Sequence, residues 1–552
     1  MRGSDLDSGQ AGSPGGAAFP TVLDGFWMPR SLRGRFLSGH RWETVWLRGG
    51  AFVSPGSPAA VPVRWPRLGA NDMEWILSAL SEARSVPARE AVARWESALV
   101  AVMPGLLDRA SEALPLLATC TGYSVPMLRE ALGAEDLVDP GGLARALEYR
   151  PSWGAAAHWE TMPGMAGKAR FFPTRPHDRL RGVGGVGGRL FRPAQPIELA
   201  LGFAAGNVPG TAFVMTLLAG LANHLAESAA SAPAVLVRNS RYEPVFASWV
   251  LSAVEAIDPE LVSATAVLVW DYEDRELQGT LMRQAGLMLA AAGDDTIAAL
   301  DRARTAYAPS LRFHRHGHKA SFAVVDGETM GGGGLSPVEV ARPAALDSAM
   351  WDQNGCLSAR VHFVHGDPLP YAAALANELR SLSGSLPRGA APRRFTHRAF
   401  DRYKELEGSR RVRMLSGYDD DFVVALDARP WDEASLGRAV NACQGRVVVV
   451  RPVDDLAAIP ALLQTLPASN LQSVSVAMDG RRVESLADLM GACGVTAIRS
   501  LGRAAFPRLA YSWDGFLPPD LCAERPPGHF TTIEFDDPRR EIEEALARSL
   551  PL

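Results

Sequence analysis

The chain has 552 residues and a formal net charge of −5, with 47% hydrophobic and 21% charged residues. This length predicts two or three domains, and the composition is typical of an ordinary soluble globular protein. The mildly acidic balance gives no reason to expect a nucleic-acid partner. The five cysteines are scattered, odd in number and without metal-ligand spacing, which suits a reducing cytoplasm. The first residues lack the apolar core of a signal peptide.

The first 150 residues carry no chemistry that their pattern can name. Residues 1–20 are rich in Gly, Ser and Pro and are predicted to be a disordered tail. Residues 21–150 are expected to form a mostly helical N-terminal region, in which residues 22–66 suggest short strands or an irregular meander.

Helical periodicity is clearest from residue 71 to residue 118. Asn71, with Glu74 three residues on, predicts an Asn-headed capping box at the start of this run. Pro87 and Pro104 are expected to divide the run into separate helices.

Two segments imitate motifs that we reject. Residues 182–187 fit G-x-G-x-x-G, but no strand precedes them and no helix start follows, so we interpret them as a flexible loop. Residues 199–223 are apolar and uncharged over a length that could cross a bilayer. Their middle reads Gly-Asn-Val-Pro-Gly, which would break a spanning helix, so a buried strand, a loop and a core helix are predicted instead.

From residue 196 onward strands and helices alternate, which predicts a mostly parallel sheet covered on both faces. The predicted strands are residues 199–205, 234–238, 264–270 and 287–291, and the predicted helices are residues 211–229, 244–257, 278–285 and 296–306. Ligands of such sheets bind beyond the carboxyl ends of the strands. Three loops fall there: residues 206–210, 238–241 and 293–295.

A second α/β unit begins near residue 321 and contains Cys356. Buried structural cysteines usually sit in apolar runs. Cys356 instead follows a glycine in a polar loop, residues 351–358, ahead of the alternating strand 360–364. A thiolate could be stabilised and reached by substrate in such a loop.

Three separated motifs resemble one known family. Gly-Asn-Val-Pro-Gly at 206–210, Gly-His-Lys-Ala-Ser at 317–321 and Asp-Gln-Asn-Gly-Cys at 352–356 look like the LuxC-type acyl-CoA and acyl-protein thioester reductases of the aldehyde dehydrogenase superfamily. The later runs 449–455, 500–503 and 513–515 are also similar. The resemblance covers roughly residues 196–521.

The resemblance implies an α/β, aldehyde dehydrogenase-like fold with a doubly wound cofactor domain, a catalytic domain and the active site between them. The corresponding bounds are residues 151–320 for NADP binding, 321–520 for catalysis and 521–552 for a C-terminal segment. It implies reduction of an acyl thioester to an aldehyde with NADPH. Cys356 matches the nucleophile of the family, and Asn207 matches the superfamily asparagine whose amide stabilises the oxyanion.

Two departures from the oxidising members of the superfamily are informative. Their water-activating glutamate has no counterpart in Arg-His-Gly-His-Lys at 315–319, and a missing base favours reduction over hydrolysis. Their ribose-binding lysine and glutamate correspond to Arg238 and Arg241, and arginine can bind a 2′-phosphate. We therefore expect NADPH, with Arg238, Ser240 and Arg241 at the ribose and Gly293 near the phosphates.

His314, His316 and His318 are spaced two apart and would share one face of a strand. Such spacing can make a metal site. A basic strand leading into the catalytic domain is the stronger interpretation, with His318 as a candidate proton donor or thiolate partner.

Several alternatives remain open on the sequence alone. An oxidising aldehyde dehydrogenase and a non-catalytic acyl-binding subunit are the rival functions. The carrier of the acyl group, coenzyme A or acyl carrier protein, is undecided. Residues 388–413 hold nine Lys/Arg against three acids and are either solvated surface or a docking surface for such a carrier. The sequence is compatible with a homo-oligomer, does not decide the oligomeric state, and gives no reason to expect a membrane partner.

Overall fold

A computed structural model describes most of the chain. The described residues are 22–37, 39–108, 111–132, 142–174, 190–193, 195–226, 228–271, 273–330, 334–389, 393–521 and 523–547. The predicted tail 1–20, the glycine-rich loop 182–187 and Cys522 lie outside these ranges.

Seventeen α-helices, α1 to α17, occur in the described ranges. In chain order they are Arg30–Phe36, Ala70–Glu82, Ala91–Leu107, Ala113–Thr121, Val125–Leu132, Gly142–Glu148, Thr211–Gly220, Phe246–Ile257, Arg275–Gln284, Asp294–Tyr307, Pro337–Ala349, Pro368–Ser385, Arg394–Glu407, Ser435–Ala442, Ile459–Leu463, Gly480–Cys493 and Pro538–Ala547.

Twenty-one strands, β1 to β21, form four sheets within the same ranges. In chain order they are Leu23–Asp24, Trp42–Arg48, Ala51–Val53, Val61–Pro66, Glu160–Thr161, Lys168–Pro173, Arg192–Pro193, Leu199–Phe203, Ala234–Arg238, Thr265–Leu268, Leu287–Ala291, Arg312–His316, Ala320–Asp326, Ala359–His365, Val412–Met414, Val423–Asp427, Val447–Val453, Leu471–Ala477, Ala497–Ser500, Ala523–Glu524 and Gly528–Ile533.

The predicted parallel sheet is present as five strands in the order β10-β9-β8-β11-β12, and all four neighbouring pairs are parallel. Strand β8 is buried along its whole length, as a central strand covered on both faces requires. The three loops expected at the carboxyl edge do follow β8, β9 and β11. The expected α/β class with a parallel sheet is present.

The membrane-like segment 199–223 is a strand, a loop and a helix. Helix α7 starts after Gly210, whose φ of 89° suits glycine, and it ends at Gly220 rather than at the predicted residue 229. It ends early because the side chain of Asn223 turns inward, donating to the carbonyls of Ile197 and Ser231 at 2.7 and 3.0 Å. Across the described ranges, no helix is long and apolar enough to cross a membrane.

A ten-stranded sheet forms the second unit, in the order β15-β16-β17-β14-β13-β18-β19-β21-β6-β5. In this sheet order, neighbouring strands from β16 to β21 pair in parallel. The edge pairs β15–β16, β21–β6 and β6–β5 are antiparallel. Strands β5, β6 and β21 come from outside residues 321–520, so this sheet extends beyond the predicted catalytic segment on both sides.

Residues 23–66 of the N-terminal region form a sheet in the order β1-β4-β2-β3, which agrees with the short strands predicted for residues 22–66. The predicted cap was wrong: Gly69 caps α2, and Asp72 at the third helical position accepts its backbone N–H at 2.8 Å. Pro87 does fall in a break between helices. Pro104 lies inside the last turns of α3 and does not divide it, consistent with the tolerance of packed helices for a terminal kink.

The loop before Cys356 has an unusual backbone. Trp351, Asp352 and Gln353 have φ values of 56°, 46° and 62°, a left-handed region that costs non-glycine residues about 1–2 kcal/mol each. Buried polar contacts hold this conformation. The Gln353 amide donates to the carbonyls of Ala359 and Val447, and Arg446 Nε donates to Asp352 Oδ1 at 3.0 Å with both side chains fully buried.

Replacing Arg446 by Ala is expected to destabilise the fold by about 3–5 kcal/mol, because it leaves the Asp352 carboxylate buried without its cation. Urea unfolding followed by circular dichroism measures the change. Arg481→Ala is the matched control, because its pair with Asp479 is exposed and should leave the unfolding curve unchanged. Equal curves for both variants would show that the buried pair does not hold the loop.

Candidate active site

Cys356 lies in the loop between the strained segment and β14, next to the place where the two larger sheets meet. Strand β12 at the edge of the five-stranded sheet leads within a few residues into β13 of the ten-stranded sheet. Strand β13 pairs in parallel with both β14 and β18, so all three strands begin at the same edge of the sheet. The end of β12 reaches that edge, because β12 is followed closely by β13. Cys356 is half-buried there, whereas Cys120, Cys443 and Cys493 are buried.

The histidine that contacts Cys356 is His316, the last residue of β12. Its Nε2 lies 3.4 Å from Cys356 Sγ. The prediction placed this role at His318, and the structure does not support it. His318 lies beyond the end of β12, where its backbone N–H donates to Asp294 Oδ1 at 2.7 Å. His318 does line the same cavity, and burial followed by the charge of Arg360 lowers its pKa.

A buried carboxylate completes the arrangement, contrary to the expectation that none lies near residues 315–319. Asp514 Oδ2 forms a close ion pair with His316 Nδ1, and its side chain is only 3% exposed. Lys319 Nζ approaches the other carboxylate oxygen at 3.8 Å. Cys356, His316 and Asp514 therefore form a chain in which the imidazole lies between the thiol group and the carboxylate.

A tight turn presents Asp514 to the histidine. Trp513 and Phe516 exchange backbone hydrogen bonds of 2.7 and 2.9 Å, and Asp514 and Gly515 between them have φ values of 50° and 85°. These are the features of a type I′ turn, for which Asp-Gly is a preferred sequence. Such a turn normally points into solvent, so its sequence gave no indication of a buried carboxylate.

The charges in this chain set its protonation state. Burial opposes ionisation of Cys356, but the charge and hydrogen bond of His316 outweigh it and lower the pKa of the thiol. Burial likewise disfavours the His316 cation, yet Asp514 and the thiolate raise its pKa well above the ordinary value. The pKa of Asp514 is lowered despite burial, chiefly by His316. These shifts favour a thiolate, an imidazolium and a carboxylate in the resting site, and Gln472 also acts to lower the pKa of Cys356 and of Asp514.

Asn207 faces the same cavity from the loop after β8. Its Nδ2 donates to the carbonyl of Asn354, two residues before Cys356, at 3.0 Å. Tyr123 from the N-terminal region supports this loop, because its hydroxyl donates to the Asn207 carbonyl at 2.5 Å and its ring packs edge-on against Trp351. The structure therefore brings the two residues predicted from the family motifs, Asn207 and Cys356, into one site.

The site opens into a cavity of about 410 Å³. One part of its wall is polar, with Asn207, His316, Lys319, Arg360 and Gln472 near Cys356. Most of the remaining wall is apolar, and α5 of the N-terminal region contributes Leu132 to it. A polar end that holds a nucleophile and an apolar wall beyond it can accommodate a substrate with a reactive carbonyl and a hydrocarbon chain.

The residues predicted to bind the cofactor differ in accessibility. Arg241 is half-buried, has no ion pair with any described residue, and its Nε lacks a partner there. Arg238 donates its Nε to the Trp270 carbonyl at 3.0 Å. Ser240 is buried and its hydroxyl accepts the backbone N–H of Tyr242, so it supports the loop. Gly293 caps α10 with open space around its Cα.

Asp294, the first residue of α10, has a structural role. Its Oδ1 accepts the His318 backbone N–H and its Oδ2 accepts Asn470 Nδ2 at 3.3 Å. Gly317 is required beside it, because an added Cβ would lie 2.6 Å from Oδ1. The carboxylate thus joins the first turn of α10 to the catalytic unit and turns away from the open end of that helix.

The reactivity of Cys356 is expected to extend below the pH range of an ordinary thiol. The lowered pKa means that the thiolate is present above that pKa and is lost only as pH falls through it, so alkylation by iodoacetamide should have a midpoint below about 8.5. His316→Gln should move the midpoint upward, because burial then acts alone. Peptide mass spectrometry measures the rate at each pH.

Cys120 and Cys443 are internal controls in the same experiment, because burial raises the pKa of each to about 12 and they should stay unmodified. An alkylation midpoint for Cys356 that is the same with and without His316 would contradict the thiolate–imidazolium pair.

Comparison with known proteins identifies the family and the fold of the chain. Residues 189–520 match the family described as acyl-CoA reductase (LuxC), while the curated proteins give no match. Similar solved structures include an oxidoreductase from Marinobacter aquaeolei (TM-score 0.57, 10% identity, 89% of this chain and 95% of that one). Aldehyde dehydrogenase 21 from Physcomitrella patens has a TM-score of 0.55 and 11% identity, with 89% of this chain and 98% of that chain covered. An aldehyde dehydrogenase from Mycobacterium tuberculosis, complexed with NAD+, has a TM-score of 0.54 and 14% identity, with 89% of this chain and 95% of that chain covered.

At these identities the solved structures establish the fold, and the family match covers more than half of the chain. The chain is therefore a member of the LuxC acyl-CoA reductase family, an oxidoreductase of aldehyde chemistry built on the aldehyde dehydrogenase fold.

Proposed function

We propose that the protein reduces the acyl group of a thioester to an aldehyde with NADPH, through an acyl-Cys356 intermediate. The observation that carries this proposal is the contact of Cys356 Sγ with His316 Nε2 at 3.4 Å, beside the amide of Asn207. The family match supports the substrate class. A thiolate suits a thioester substrate because the acyl-enzyme is itself a thioester, close in energy to the substrate.

Acylation uses groups that are already in place. The Cys356 thiolate attacks the carbonyl carbon, and negative charge develops on the carbonyl oxygen. A primary amide has two N–H donors, so Asn207 can stabilise that oxygen with the one not used by Asn354. As the intermediate collapses, His316 donates its proton to the departing thiolate, while Asp514 keeps the imidazole ring in position.

The chain fits NADPH in two respects. Gly293 leaves the N-terminus of α10 open to a phosphate, and Arg241 supplies a guanidinium that no described carboxylate neutralises. When bound, the cofactor would supply a hydride for the acyl carbon. The chain itself then needs only to release the aldehyde by expelling the Cys356 thiolate, a step that requires no proton acceptor.

Oxidation of an aldehyde is a second candidate, and one observation favours it. The sequence argued against oxidation because no base for water was recognised, but His316 and Asp514 provide one beside Cys356. Incubating the protein with an aldehyde and NADP+ tests this direction. A non-catalytic acyl-binding role fits less well, because such a role does not require an ionised nucleophile.

The basic surface formed by described residues between 388 and 413 could attract either coenzyme A or an acyl carrier protein, because both are anionic. Arg393, Arg394, Arg410 and Arg411 are exposed, and none of them forms an ion pair with a described residue. An anionic acyl carrier protein would gain association rate from these charges, and the gain would fall as salt is added. Docking of such a carrier is part of the proposal, and comparing acyl-CoA with acyl carrier protein at two salt concentrations distinguishes them.

Cys356→Ala is expected to abolish both acyl-enzyme formation and thioester-dependent NADPH oxidation, because it removes the nucleophile. Asn207→Ala should lower the rate about a hundredfold while leaving the acyl-enzyme detectable. Intact-mass spectrometry after incubation with acyl thioesters measures the first effect, and absorbance at the NADPH band the second. Cys493→Ser is the matched control and should keep activity. Retained turnover in Cys356→Ala would exclude the mechanism.

Arg241→Glu is expected to raise the KM for NADPH tenfold or more and that for NADH little, because a charge-assisted contact to the 2′-phosphate is lost and a repulsion is added. Steady-state kinetics with both cofactors provides the comparison. Arg481→Glu, an exposed charge reversal on α16, serves as control. An equal effect on both cofactors would show that Arg241 has only a structural role.

A further inference from the structure

We propose that the protein is also a thioesterase: in the absence of reduced cofactor, His316 activates water to hydrolyse acyl-Cys356 and release a carboxylic acid. This second activity rests on the acyl-enzyme of the proposed function. It uses the same carbonyl carbon but a different acceptor, water in place of hydride. Its basis is the chain Cys356–His316–Asp514, an arrangement of nucleophile, base and orienting acid that suits acyl transfer to water.

The change in His316 during acylation prepares it to act as a base. In the resting site the imidazolium is stabilised by two anions, the Cys356 thiolate and Asp514. Acylation removes the thiolate charge, and the imidazolium gives its proton to the departing thiolate of the carrier. His316 is left neutral, with Asp514 on its Nδ1 and its Nε2 directed at the acylated sulfur from 3.4 Å. A water molecule beside that sulfur lies within reach of both Nε2 and the acyl carbon.

Hydrolysis then balances without any further reactant. His316 Nε2 takes a proton from water, and the hydroxide adds to the acyl carbon. The tetrahedral intermediate collapses by breaking the bond between the acyl carbon and Cys356 Sγ. The products are a carboxylic acid, the Cys356 thiolate and the His316 imidazolium, which is the resting site again. No electrons are transferred, so no nicotinamide cofactor is consumed.

The surroundings of His316 suit this role. Its side chain is 23% exposed toward the cavity, so water can reach it, while the Asp514 side chain behind it is 3% exposed. The other charged or titratable side chains that line the cavity are His318, Lys319, Arg360 and Arg499; Lys319 approaches Asp514, and Arg499 is paired with Glu534. None of these contacts Cys356 Sγ, so His316 is the described base closest to the acyl group.

The two fates of the acyl-enzyme place different demands on the chain. Hydrolysis needs His316 as proton acceptor and Asp514 as the positioning residue. Reduction of the same intermediate needs neither, because hydride addition and expulsion of the thiolate transfer no proton to the protein. A variant that weakens the base should therefore change the ratio of acid to aldehyde, and this ratio does not depend on how fast the acyl-enzyme forms.

The first experiment incubates the full-length protein with octanoyl-CoA in H₂¹⁸O without any nicotinamide nucleotide. We expect a burst of one free coenzyme A per chain, then steady release matched by octanoic acid that carries one ¹⁸O. A burst followed by a stable acyl-enzyme, with no acid above the spontaneous rate, would overturn the thioesterase while leaving the reductase proposal intact. Absence of a burst, with no aldehyde formed when NADPH is added, would overturn both.

The second experiment adds NADPH and measures the ratio of octanoic acid to octanal in Asp514→Asn. We expect the ratio to fall about a hundredfold, the usual contribution of a general base. Asp479→Asn, which alters an exposed carboxylate at the start of α16, is the matched control and should leave the ratio unchanged. An unchanged ratio in Asp514→Asn would exclude His316 as the base, and acid production that persists in Cys356→Ala would exclude hydrolysis through acyl-Cys356.

Discussion

The ion pair between Asp514 and His316 is the interaction on which the rest of the site depends, because it lies where the two larger sheets meet. His316 ends the edge strand of the five-stranded sheet, and Asp514 sits in a turn that follows β19 of the ten-stranded sheet. Neither sheet alone contains the pair. A buried carboxylate without its cation is costly, so the electrostatics of the site favour the same relative position of the sheets that catalysis requires.

Cys356 is positioned by a different kind of constraint. Three consecutive left-handed residues would not persist on their own, and the buried contacts of Asp352 and Gln353 compensate for them. Both contacts lead to the start of β17, next to β14 in the sheet. The loop that carries Cys356 is thereby fixed by the sheet interior, and its conformation does not depend on bound substrate.

Sequence reasoning predicted the fold and two members of the site for physical reasons. Alternating strands and helices have strong periodicities, and Cys356 and Asn207 lie in short motifs whose order and spacing can be recognised. Asp514 could not be predicted, because its contact with His316 is created only when distant segments pack. The choice between His316 and His318 depended on where β12 ends, and strand ends are poorly defined by periodicity. The base for water was also not predicted, because Asp514 is distant in sequence from the run 315–319 that contains His316.

The contact of Tyr123 with the Asn207 loop has a consequence for how the enzyme can be divided. Similarity to the family begins at residue 189, yet Tyr123 holds the loop that carries Asn207, and α5 forms part of the cavity wall. Strands β5 and β6 also precede that boundary and complete the edge of the catalytic sheet. The part of the chain that matches the family is thus smaller than the part that forms the site. An expression fragment trimmed to the recognisable part would expose the apolar face of the cavity and lose the support of its amide donor.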